Sequence, residues 1–194
     1  MDDRAVAEVG SRIESAPIMG GLRKRKDTGR QAHRHQEGLV VEDKDGTVVL
    51  PYATTRVFTN LPPGSVEGDE TPDWGRWTFV SEDGARWASG ALDRPTPLGV
   101  LCGVVARASA EVRLVLAHER LAVGDTVDFG AAVATAHDLL VHGHPLMPWS
   151  EVTSIDHEAG GPVFLDTATR GDMTLFAEDV ADLAVLLALI EDRR

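Results

Sequence analysis

The chain has 194 residues, of which 43% are apolar and 26% charged, with one cysteine and a formal net charge of −12. Such a length holds one large domain or two small ones, and the composition is that of a globular chain. The lone Cys102 excludes an intramolecular disulfide and a Cys-based zinc site, and the acidic balance argues against general nucleic-acid binding.

The N-terminus offers no apolar run of the signal-peptide kind, and a helix within 3–14 is only weakly patterned. The longest apolar run, Leu183 to Ile190, falls well short of the roughly 20 residues needed to cross a bilayer. A cytoplasmic protein is therefore expected. Residues 1–29 read as a flexible basic arm. Met19-Gly20-Gly21 leads into Arg23, Lys24, Arg25, Lys26, Arg30 and Arg34, opposed in that stretch only by Asp27. Residues 1–37 hold 8 Lys/Arg against 6 Asp/Glu, whereas residues 38–194 hold 11 against 25. The basic stretch fits an anionic surface such as a lipid membrane. The ordinary alternative is a solvated linker, or an arm lying on the protein's own acidic body.

Beyond the arm the chain repeats itself. Gly38-Leu39-Val40-Val41 aligns with Asp138-Leu139-Leu140-Val141 at an offset of 100. Leu50-Pro51-Tyr52 aligns with Met147-Pro148-Trp149 at an offset of 97, so the intervening turn is three residues shorter in the second copy. In the first copy, strands are expected over about 31–36, 39–43, 47–58, 75–81 and 85–90, with turns at Glu37-Gly38, Asp45-Gly46 and Asp83-Gly84. The segment Asn60 to Asp73 reads as an exposed loop. Thr96-Pro97 then opens a helix, with Thr96 as N-cap and Pro97 at the first helical position. Its apolar residues recur at helical spacing from Leu101 to Leu116, and Gly124 ends it. In the second copy, strands are expected over about 126–136, 139–142, 145–157, 162–168 and 172–176, and a closing helix from near Ala177. Tyr52 and Trp149 each anchor a core in this reading, with ligand stacking as the alternative role. The lobes are expected over 30–122 and 123–194.

These residues carry a resemblance. Leu139-Leu140-Val141, then Met147-Pro148-Trp149-Ser150-Glu151-Val152, then strands and a Leu-rich closing helix, resemble a bacterial PH-like (pleckstrin-homology-like) lobe. The full order, with the intermediate helix 97–121 and Phe129-Gly130, is similar to an actinobacterial family of unknown function with two tandem PH-like lobes. The resemblance implies an α+β fold in which each lobe is an antiparallel curled sheet closed by one C-terminal helix. It implies no functional residues. PH-like lobes bind phosphoinositides, peptides or proteins, and fold alone does not choose among them.

Signatures of chemistry are weak. His142 and His144 flank a turn glycine, with His33, His35 and His137 elsewhere, but a zinc site needs three or four converging ligands, and the ordinary reading is of solvent-exposed turn and edge-strand histidines. No cofactor is expected, and His142 and His144 are the candidates should a metal bind. His118-Glu119 and His157-Glu158 lack the second histidine of a metalloprotease helix. No Gly-x-Ser-x-Gly elbow and no phosphate-binding Gly loop is present. Cys102 lies on or beside the apolar face of its helix, as a structural thiol does. The sequence therefore favours a non-enzymatic module recognising protein or peptide, without nucleic acid. The alternatives are peripheral recognition of anionic lipid through 23–34, and a metal-binding protein or enzyme using the His-rich turns.

Overall fold

The computed structural model describes residues 3–19, 27–43, 46–59, 75–92, 96–157 and 162–194. Contacts divide the chain into two compact units, Met1–Val57 with Thr71–Ser109, and Phe58–Glu70 with Ala110–Arg194. The fold is α+β, with four antiparallel sheets and three helices among the described residues.

The first unit begins with α1 (Asp3–Glu8), β1 (Arg12–Met19), β2 (Asp27–His35), β3 (Gly38–Asp43) and β4 (Gly46–Pro51). These four strands form one sheet in the order β1-β2-β3-β4. β5 (Thr55–Thr59), β6 (Gly75–Ser81) and β7 (Arg86–Leu92) form a second sheet, and α2 (Pro97–Ala122) follows. Strand alternation sets the core: Ala16, Ala32, Val41, Trp77, Phe79 and Trp87 are buried, with the Phe79 and Trp87 rings stacked 5.8 Å apart. Leu98, Leu101, Cys102 and Val105 are buried along α2 at helical spacing. Thr96 Oγ1 accepts from the Gly99 N–H at 3.0 Å, as expected of an N-cap.

Within the stretch expected as an arm, 1–29, the described residues form α1, β1 and the start of β2. The reason is packing. Val9 is fully buried, and the Gly38 backbone passes so close that a Cβ there would stand 2.5 Å from Val9 Cγ1. The Glu37 N–H donates to the Val9 carbonyl at 3.0 Å, and Ala16 and Ile18 on β1 reach the core. The basic cluster Arg23, Lys24, Arg25 and Lys26 lies outside the described residues, as do the loop 60–73 and Gly160-Gly161.

The second unit holds β8 (Val127–Asp128), β9 (Ala132–Ala134), β10 (Asp138–Val141) and β11 (Met147–Pro148), in the order β11-β10-β9-β8. A 3-10 turn, Trp149–Glu151, leads into β12 (Val152–His157), β13 (Val163–Thr167) and β14 (Met173–Leu175), which form a sheet of their own. A second 3-10 turn, Ala177–Asp179, precedes α3 (Leu183–Arg193). Phe129, Leu139, Met147, Trp149, Leu165, Leu175, Leu186 and Ile190 lie in the core of this unit.

Contacts divide the units inside α2, between Ser109 and Ala110, where the sequence reading ends its first lobe at residue 122. Ala117 and Leu121 belong to the second core, with Ala110 and Leu114 packed against it. The expected strand 126–136 breaks at Gly130, whose φ of +79° suits glycine, and where a Cβ would stand 2.8 Å from the Asp179 carbonyl oxygen. The closing helix starts at Leu183 and not near Ala177. The Ala131 N–H donates to the Asp179 carbonyl and the Ala181 N–H to the Phe129 carbonyl, which holds 179–181 against the β8–β9 turn.

Candidate functional site

The repeated corner is a hydrogen-bonded feature that both units share. Where the sequence suggests continuous strands over 47–58 and 145–157, the chain turns at Tyr52 and Trp149 and passes from one sheet to the next. Both side chains are buried. The Tyr52 hydroxyl donates to the His35 carbonyl at 3.1 Å, and Trp149 Nε1–H donates to the Thr135 carbonyl at 3.2 Å. The backbone N–H of Tyr52 donates to the Glu37 carbonyl, and that of Trp149 to the His137 carbonyl. These acceptors are separated by the same 100 residues that align β3 with β10. The corners therefore repeat in hydrogen bonding as well as in sequence, and both aromatic rings are committed to the core. Burial raises the Tyr52 pKa, against the opposing effect of the nearby Arg34.

A helix fastens each corner differently. In the first unit, Ser109 Oγ on α2 lies 3.3 Å from the Tyr52 carbonyl and 3.4 Å from that of Thr55. In the second, the Arg193 guanidinium lies over the Trp149 ring at 5.9 Å and donates to the Ala136 carbonyl at 2.7 Å. Arg113 Nε also donates to Asp182 Oδ2 at 2.7 Å, with both side chains largely buried. Asp182 has φ of +51° and caps no N–H of its own helix with its side chain, which is turned toward Arg113.

The other residues singled out by sequence divide clearly. Arg30 pairs with Asp43, and Arg34 lies 4.0 Å from Glu14, so these two cations of the basic stretch have acidic neighbours within their sheet. His142 and His144 are exposed on either side of Gly143 in the β10–β11 turn. No group of three or more potential metal ligands occurs among the described residues. Cys102 is fully buried, and burial pushes its thiol pKa far up, away from the reactive thiolate. No helix among the described residues is long and apolar enough to cross a membrane.

His33 and His35 are not solvent-facing edge residues. His35 Nδ1 donates to the Gly10 carbonyl at 2.7 Å. His33 is buried with Nδ1 2.7 Å from Ser15 Oγ, while its Nε2 makes no hydrogen bond and lies 3.6 Å from Glu42 Oε1. Burial lowers the His33 pKa from its ordinary 6.5, more than Glu42 raises it. Ser15 carries no signal of this contact in the sequence, where β1 reads as part of an arm.

Two sheets end in strands with conspicuous exposed apolar residues. On β1, Ile13 is half-exposed. Beside β14, Phe176 is 56% exposed although the residues around it alternate regularly between core and solvent. No family model, curated protein or solved structure matches this chain.

Proposed function

We propose that the chain is a non-enzymatic recognition module for protein or peptide, built of two PH-like units. What supports the reading is a repeated scaffold. Four antiparallel strands, an aromatic corner, three antiparallel strands and a helix occur in the same order twice. The single observation that carries it is the corner itself, with its buried aromatic donating to a carbonyl at matching places in both units. A scaffold of this kind leaves strand edges with backbone donors and acceptors available for an added strand. The histidines on β2 and Cys102 are engaged in holding strands and filling cores. A cytoplasmic setting goes with the proposal.

The test is a binding survey with the full chain. Immobilised extended peptides of basic, acidic and neutral composition are compared with phosphatidylserine vesicles, each at 50 mM and 500 mM salt. Saturable binding to a peptide class is expected. Salt-sensitive vesicle binding without any peptide binding would instead favour lipid recognition and overturn the proposal.

A further inference from the structure

We propose that β14 of the second unit accepts a basic, extended peptide as an added strand, with Phe176 and the flanking carboxylates as its docking face. The proposal rests on the recognition-module reading and narrows it to one strand and one ligand chemistry.

Burial alternates along Asp172-Met173-Thr174-Leu175-Phe176-Ala177-Glu178, through the end of β14 and into the 3-10 turn that begins at Ala177. Met173, Leu175 and Ala177 are buried, whereas Asp172, Thr174, Phe176 and Glu178 are exposed. Phe176 keeps extended dihedrals, φ −86° and ψ 124°, so the strand geometry runs one residue past Leu175. The buried residues anchor the strand, its outward residues are acid, hydroxyl and aromatic in turn, and the acid Glu178 follows in the 3-10 turn.

The neighbouring strands extend this face. Phe164 pairs with Thr174 on one side and with Asp156 on the other, and Asp166 pairs with Ser154, whose hydroxyl donates to it. Phe164 and Phe176 therefore share the outer face, bordered by Asp156, Asp166 and Asp172. Arg170, the nearest base in sequence, is turned elsewhere, onto Glu151 at 2.9 Å and the Pro145 carbonyl at 3.1 Å. Among the described residues, β14 has a strand neighbour on one side only, β13.

Charge selects the occupant. The second unit holds 5 Lys/Arg against 18 Asp/Glu, so a cationic peptide is attracted and an anionic membrane or nucleic acid is repelled. A second copy of the strand is a poor occupant, because pairing this edge with itself would set two strongly acidic faces side by side. Acidic flanks are a known way to protect an exposed edge from self-pairing. A Lys or Arg at alternate peptide positions would meet the carboxylates and could lie over the Phe176 ring.

The test uses the full chain and a labelled Lys-Val-Lys-Val-Lys-Val peptide, with its Glu-for-Lys counterpart and an N-methylated version that keeps the charge but loses alternate backbone N–H donors. The Lys peptide is expected to bind, more weakly as salt rises. Phe176→Ala should weaken it roughly tenfold, as removal of an aromatic anchor does. Asp172→Lys with Glu178→Lys should weaken it by a similar factor. N-methylation should abolish it. Urea unfolding of each variant checks that the fold persists, and loss of binding by a folded variant supports the proposal. Equal binding of the N-methylated peptide would reveal a purely electrostatic contact and overturn strand addition. Binding unaffected by both variants would overturn this site while leaving the module reading standing. If no peptide of any composition binds, both fail.

Discussion

The two units solve one folding problem with different polar chemistry. Each turns from a four-stranded to a three-stranded sheet at a buried aromatic that donates to a carbonyl, Tyr52 to His35 and Trp149 to Thr135. Around that shared corner the charges and the polar ties differ. The first unit holds 14 Lys/Arg against 13 Asp/Glu, close to neutral, while the second holds 5 against 18. In the first unit the corner is tied to its helix by the hydroxyl of Ser109. In the second, Arg193 covers the corner, and Arg113 and Asp182 form a largely buried ion pair at the start of α3. The comparison teaches that apolar alternation and the corner specify the architecture, while charge is left open to vary with what each surface meets.

The sharpest way to break this comparison is to remove one polar tie from each unit. Arg113→Met removes the guanidinium from which the buried Asp182 carboxylate accepts, and the expected cost is about 3–5 kcal/mol in urea unfolding. Replacing both residues, Arg113→Met with Asp182→Asn, should recover much of that loss, because no uncompensated charge remains. An Arg113→Met variant as stable as the wild type would show that the pair is a surface contact.

The corresponding change in the first unit should be smaller. Ser109→Ala removes a neutral hydroxyl whose acceptors are backbone carbonyls at 3.3 and 3.4 Å, so the expected loss is about 1 kcal/mol. If Ser109→Ala cost as much as Arg113→Met, the polar ties would be equivalent, and the contrast between the units would rest on charge alone. Urea unfolding monitored by tryptophan fluorescence reads both variants on one scale, since each unit contains buried tryptophan.

Much of this architecture is legible in the sequence, because the signals are local. The offsets of 100 and 97 place β3 with β10 and β4 with β11, and they carry the corner with them. Thr96 capping the Gly99 N–H follows from a Thr-Pro pair before an apolar run. What escapes is set by contacts distant in sequence. β1 reads as part of an arm because only Ala16 and Ile18 mark its buried face, and its partner strand lies beyond the glycines at 20 and 21. The start of α3 is misplaced because backbone bonds from residues 129 and 131, far upstream, hold 179–181. Phe176 lies in a segment legible as a strand, but its outward position emerges only once Met173 and Leu175 are known to face the core. His33 reads as an exposed edge histidine until β1 covers it.

That buried histidine gives the first unit a pH dependence of its own. His33 sits between Ser15 on β1 and Glu42 on β3, with Arg12 and His35 also near enough to oppose its protonation. Its pKa is lowered in the folded state, chiefly by burial, so below 6.5 the unfolded chain takes up a proton that the folded chain resists. Its contribution to stability is therefore fully present above 6.5 and is lost as the pH falls through that value toward the lower folded pKa. Glu42 limits the loss, since an imidazolium Nε2 would find its carboxylate 3.6 Å away. Stability measured in urea from pH 8 to pH 5 should decline on the acid side in the wild type. His33→Asn should be less stable at pH 8 but show a flatter decline, and Glu42→Gln a steeper one, because the partner that favours the charged ring is gone. Parallel profiles for all three proteins would mean that His33 does not titrate differently on folding.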